Sequence, residues 1–141
     1  MKTAIIQQAN SADIEANKSK LAESIAECAQ QGAQLVVLQE LHNSLYFCQT
    51  EDVNHFDLAE PIPGSSTGFY GELAKKHGIV LVTSLFEKRA SGLYHNTAVV
   101  FENDAVEIVE PARRFEVSEN SRPHRRAGDA DEQHVPDCPP A

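Results

Sequence analysis

Cysteine is scarce in this chain of 141 residues, and Cys28, Cys48 and Cys138 are an odd number at wide spacing with no CxxC pair. That pattern argues against a disulfide framework and against a structural zinc site, and leaves free thiols as the plain expectation. The six histidines show neither HxxxH nor HxH spacing, so no metal site is expected. GxGxxG and GxxxxGKS/T are both missing, which leaves nucleotide binding without support. Positive charge is in short supply as well. Twelve Lys and Arg stand against 21 Asp and Glu, and the net charge of -9 opposes attraction to phosphate backbones or anionic lipid. The expected partners therefore include no nucleic acid and no membrane. The only apolar run near the amino terminus is Ala4, Ile5 and Ile6, too brief for a signal-peptide core and far short of a membrane span, so the expected location is cytoplasmic. What is present, 41% hydrophobic and 23% charged residues, is enough for one globular domain with a real core.

Composition changes abruptly along the chain. All six lysines lie between Lys2 and Lys88, whereas five of the six arginines (Arg113, Arg114, Arg122, Arg125, Arg126) follow residue 110. Residues 110–141 hold five of the seven prolines and no Leu, Ile or Met, with only Phe115, Val117 and Val135 as large apolar groups. Such a stretch buries too little surface to offset its ordering entropy. The expected division is a folded part, 1–109, and a disordered tail, 110–141.

Within the folded part, residues 3–8 (TAIIQQ) read as a short strand. From Asp13 to Gly32 the apolar residues Ile14, Leu21, Ile25 and Cys28 recur near helical spacing. Residues 35–38 (LVVL) form a continuous apolar strand, as expected when both faces are covered. Residues 61–67 (PIPGSST) are a turn cluster offering Ser and Thr caps to a helix over 68–77 that stops at Gly78. Residues 79–85 and 94–101 are two more strands, joined through a hairpin turn at Ser91-Gly92. Strand and helix alternate first and antiparallel strands follow, which predicts an α/β sandwich with a mixed sheet.

Glu40 comes directly after the apolar strand, so its carboxylate emerges at the carboxyl end of that strand, the edge where open α/β sheets place ligands. Partial desolvation there would suit a general base; an ordinary surface glutamate is the competing reading. Cys28 falls on the apolar face of the first helix and reads as a packing residue. Cys48 lies in a loop after Glu40 where it could line the same cleft, and Cys138 has nothing around it to lower its pKa.

Several blocks resemble, in order, the amino-terminal half of the carbon-nitrogen hydrolases, the nitrilase superfamily: residues 1–9 (MKTAIIQQA), 33–48 (AQLVVLQELHNSLYFC), 62–65 (IPGS) and 95–102 (HNTAVVFE). Residues 38–52 (LQELHNSLYFCQTED) most resemble bacterial N-carbamoylputrescine amidases. The resemblance covers residues 1–104. It implies part of an α-β-β-α sandwich and hydrolysis of non-peptide C–N bonds by a glutamate, a lysine and a cysteine, with no cofactor. The cysteine attacks the carbonyl carbon, the glutamate relays its proton and the lysine stabilises the tetrahedral intermediate.

Carried over, the glutamate is Glu40, and the resemblance also sets Tyr46 near the substrate. The lysine and the cysteine have no match. Family motifs like KYRKMHIP and CWDQWYPE are missing after residue 104, where no lysine remains and Cys138 lacks every neighbour of the nucleophile. An out-of-frame read of a GC-rich gene would produce this coincident change; a shortened paralogue with a new tail is the rival. The implied substrate is a small cationic N-carbamoyl amine, giving amine, ammonia and carbon dioxide, with the chain inactive on its own. The other reading is a non-catalytic half-domain whose exposed strand faces, such as 79–85, pair it with a relative or with itself as a homo-oligomer. A flavodoxin-type binding module comes last, for want of a phosphate-cradling loop.

Overall fold

Two parallel crossovers followed by two hairpin connections build the sheet. The computed structural model describes residues 1–49 and 52–102 and, as backbone and strand pairing, 105–116. The strands are β1 (Thr3–Ile6), β2 (Leu35–Leu38), β3 (Val80–Ala90), β4 (Leu93–Glu102) and β5 (Ala105–Glu116), lying side by side in that order. β1, β2 and β3 are mutually parallel; β4 and β5 add on antiparallel. Helix α1 (Ile14–Gln30) links β1 to β2, and α2 (Ser65–His77) links β2 to β3 after a 3-10 turn at Val53–Leu58. The mixed α/β sheet expected from the sequence is present.

Local chemistry sets the element ends. Asp13 is the N-cap of α1, its carboxylate accepting the Ala16 N–H at 3.0 Å, and Gly32 leaves the helix at φ 84°. For α2, which starts at Ser65, the Thr67 hydroxyl accepts the Gly64 N–H at 2.7 Å as a capping contact, but the expected Ser cap needs correction. The N-cap is Gly64, where a side chain would collide with the Pro61 carbonyl, and the carboxylate of Glu60 accepts the Ser66 N–H at 2.8 Å and the Ser65 hydroxyl at 3.0 Å. An acceptor from outside the turn fills this role because glycine has no side chain to offer. The hairpin turn is Ser91-Gly92, with Gly92 at φ 73°.

Both helices pack on one face of the sheet. Strand register aligns Ala4, Val36, Leu81 and Phe101 in one row on that face, and Leu21 and Ile25 of α1 with Tyr70 and Ala74 of α2 complete the core. Cys28 is half-buried against the same cluster, as its position on the helix predicts. Ile5, Val37, Val82 and Val100 line up in register on the opposite face, where no helix among the described residues covers them; Ile5 is 78% exposed.

Near the turn of the β3–β4 hairpin, the helix-covered face carries a buried carboxylate. Glu87 accepts from Arg89 Nε at 3.0 Å and from the Thr97 hydroxyl, with His95 Nδ1 3.8 Å away. Burial pushes its carboxyl upward, but the hydrogen bonds from Arg89 and Thr97 and the charges of Arg89 and His95 outweigh that and hold it below its ordinary value.

β5 runs to Glu116, seven residues past the boundary at 109 that composition suggested. The ladder with β4 uses backbone N–H and C=O groups, so a strand can form where side chains carry little apolar signal. The remainder of the tail, 117–141, including Cys138, lies outside the described residues. Among the described residues no helix is long and apolar enough to cross a membrane.

Candidate active site at the carboxyl edge of the parallel strands

β2 ends at Leu38, and Gln39 and Glu40 carry the chain off its carboxyl end. The turn that follows is sharp: Leu41 has φ 48°, a left-handed conformation that a leucine adopts only under restraint. The restraint is visible. Leu41 N–H donates to the Ser84 hydroxyl of β3 at 3.2 Å, and Gln39 Oε1 accepts the Gln8 N–H at 2.6 Å.

The Glu40 carboxylate stands on the sheet face away from the helices, where Asn96 Nδ2 of β4 donates to Glu40 Oε1 at 2.5 Å. Ser84 Oγ in turn donates to Asn96 Oδ1 at 2.7 Å. The sequence suggested a partly desolvated carboxylate; here Glu40 is exposed, while Phe47 and Phe56 cover that face only further along, at Phe86.

Behind the turn, a set of amides holds the backbone that follows. Asn10 Nδ2 donates to the carbonyls of His42 (3.0 Å) and Ser44 (2.6 Å), and Asn17 Nδ2 to that of Asn43 (3.0 Å). Asn43 donates to Ser66 Oγ at 2.8 Å and accepts the Tyr70 hydroxyl at 2.6 Å. Further along, Phe47 and Phe56 pack on Phe86 with ring centroids 5.0 and 5.9 Å apart, and Phe56 lies 4.5 Å from Tyr94. The loop is thus pinned on both sides of the residues that resemblance sets near the substrate. Tyr46 is half-exposed on this loop, and Cys48 is exposed. A cavity of about 200 Å³ opens on the same edge, lined among others by Leu41, Ser84, Phe86, Glu60, Ser66 and Lys18. Glu40, Tyr46 and Cys48 do not line it.

His42 is fully buried, its ring edge-on to Tyr70 at 4.8 Å. Burial lowers its pKa from 6.5 to about 4, against a smaller upward pull from Asn43. The folded state thus holds this imidazole neutral while the unfolded state can protonate it. Its contribution to stability is complete above pH 6.5 and falls away as pH drops from 6.5 toward 4, by about 3 kcal/mol in all. Urea unfolding across pH 7 to 4 should show this slope, and His42→Leu should flatten it.

Sequence reasoning singled out Glu40 but not the residues bonded around it, Asn96, Ser84, Asn43 and Tyr70. Asn96 and Asn43 lie inside the blocks HNTAVVFE and LQELHNSLYFCQTED, yet nothing in linear spacing ties Asn96 to Glu40. Among the described residues no group of three His, Cys, Asp or Glu could hold a metal ion.

Comparison with known proteins gives this geometry a family. The carbon-nitrogen hydrolase family matches residues 2–126. The chain is 34% identical to a citrullinase of Francisella tularensis over 71% of its own length and 35% of the relative's. It is 38% identical to an omega-amidase of Xenopus laevis (66% and 32% covered) and 30% identical to an N-carbamoylputrescine amidase of Solanum lycopersicum (74% and 35%). Among solved structures, the carbon-nitrogen hydrolase of Helicobacter pylori superposes with a TM-score of 0.68 at 40% identity, over 74% of this chain and 38% of that one. The chain thus spans about a third of the length of the curated relatives it matches. It belongs to the carbon-nitrogen hydrolase family, within the nitrilase superfamily.

Proposed function

We propose that residues 1–102 supply the proton-relay glutamate of a hydrolase acting on a small N-carbamoyl amine of the N-carbamoylputrescine type. The observation that carries this reading is the placement of Glu40: a carboxylate at the carboxyl edge of a parallel strand, oriented by an amide from the neighbouring hairpin. In the reaction the family resemblance implies, a thiol attacks the carbamoyl carbon and passes its proton to Glu40. The carboxylic acid so formed protonates departing ammonia, and water then releases carbon dioxide and the free amine. The three relatives' names share one chemical feature, a terminal C(=O)–NH2 group on citrulline, on an omega-amide and on N-carbamoylputrescine. The net charge of -9 favours a cationic amine over an acidic substrate, and no cofactor is needed. Tyr46, half-exposed on the pinned loop, is the side chain proposed to meet the substrate.

Cys28 of α1 packs against the core, no lysine follows Lys88, and the resemblance leaves the family's cysteine and lysine without a match in this sequence. Residues 1–141 alone are therefore expected to be inactive. The test joins residues 1–102 to the part of the Helicobacter pylori hydrolase that follows its equivalent of β4. The hybrid should release ammonia from N-carbamoylputrescine faster than from citrulline; a folded hybrid that hydrolyses neither contradicts the proposal.

A second reading, an interaction fragment pairing with a relative or a second copy, is favoured by the uncovered row Ile5, Val37, Val82 and Val100. It predicts a concentration-dependent dimer in sedimentation that Val82→Lys disperses. A monomer at all concentrations that also fails to bind a full-length relative contradicts it.

A further inference from the structure

We propose that Asn96 is a positioning residue for Glu40, with its amide fixed in direction by Ser84; this rests on the hydrolase reading of Glu40. The direction of every hydrogen bond in the chain follows from its ends. A backbone N–H can only donate, so Leu41 N–H makes Ser84 Oγ an acceptor at 3.2 Å. The one hydroxyl hydrogen of Ser84 is then free to point to Asn96, and the atom that receives it at 2.7 Å must be the amide oxygen. That leaves the Asn96 NH2 group facing Glu40, whose ionised carboxylate can only accept.

The relay closes on itself, because it begins at the backbone of Leu41 and ends on the side chain of the residue before it. Residues 56 apart in sequence meet because β3 and β4 pair with Phe86 opposite Asn96 and Ser84 opposite Ala98, which puts Ser84 and Asn96 diagonally on one face. β2 pairs with β3 at Val37 and Val82, bringing the Glu40 turn alongside Ser84. The same ring of bonds restrains the left-handed Leu41. A neutral amide is well suited to orienting a proton acceptor. It holds Oε1 without adding a charge, and Oε2 has no hydrogen-bond partner among the described residues and remains open to a proton. Reversal of the Asn96 amide would set its oxygen against the carboxylate, so the hydroxyl of Ser84 acts on Glu40 through Asn96.

The test uses the full chain, labelled with 15N and 13C, and needs no turnover. In the native protein the Asn96 side-chain NH2 resonances should be displaced from those of a free amide and should return to free-amide positions in Glu40→Ala. Ser84→Ala should shift them too, and Ser84→Thr, which keeps the hydroxyl, should restore them. In Asn96→Ala the three-bond couplings of Glu40 should average over rotamers while the β3 and β4 backbone amides stay in place. Asn96 resonances indifferent to Glu40→Ala, or Glu40 couplings indifferent to Asn96→Ala, overturn the proposal. Inactivity of the hybrid enzyme would instead count against the hydrolase reading, because the resonances report the contact itself.

Discussion

In the hybrid enzyme, Glu40→Gln is expected to lower kcat for ammonia release by about 10²–10⁴-fold, the usual contribution of a positioned general base. Glutamine keeps the size of the side chain and can still accept from Asn96 through its own oxygen, so the turn and the β3–β4 hairpin should be undisturbed. What it loses is the ability to take a proton. KM should therefore change much less than kcat, because no contact made in the ground state has been removed. Stopped assays across substrate concentration separate the two constants, and thermal unfolding confirms an intact fold. A variant with unchanged kcat would mean that Glu40 is an ordinary surface carboxylate after a strand.

Tyr70→Ala should cost about 3–5 kcal/mol of stability, within the range for removing a buried aromatic side chain. Tyr70 is fully buried between His42 and Phe69, edge-on to both, and reaches the site through its hydroxyl, which donates to Asn43 Oδ1 at 2.6 Å. Burial, with the nearby charges of Glu60 and Glu15, pushes its phenol well above the ordinary range, so it remains a donor throughout the pH range in which the protein folds. Truncation opens a cavity beneath the Glu40 turn and leaves the Asn43 oxygen without its donor. Tyr70→Phe should lose only about 1–3 kcal/mol, the cost of the unpaired oxygen alone. Urea unfolding at pH 7 measures both, and a loss below about 1 kcal/mol for Tyr70→Ala would contradict the packing described, given that domains hold only about 5–15 kcal/mol in total.

The elements that could be read from the sequence are those whose physics is local. β2 was legible because four apolar residues between polar neighbours have few other uses. α1 was legible from its periodicity and from Asp13, which the fold uses as its cap. Glu40 stands out through the family resemblance, since its place at a strand end fits an ordinary surface glutamate as well. The 3-10 turn at Val53–Leu58 has no period to betray it, and the continuation of β5 beyond 109 depends on a backbone ladder that side chains do not announce. The partners of Glu40 were hidden for a related reason. Asn96 comes within reach only through the register of three strands, and an asparagine in a strand reads as nothing in particular until that register is known. Tyr70 showed only as an aromatic residue within a helix, and its link to Asn43 spans 27 residues.

The most direct measurement is ammonia release from N-carbamoylputrescine by the purified 141-residue chain, run beside Glu40→Gln and a sample with its thiols blocked. If, as proposed, this chain carries the glutamate but neither the attacking thiol nor the oxyanion-stabilising lysine, the expected result is a folded protein with no release in any of the three. Release that both Glu40→Gln and thiol blocking abolish would contradict this, by showing that Cys48 or Cys138 serves as the nucleophile within these residues.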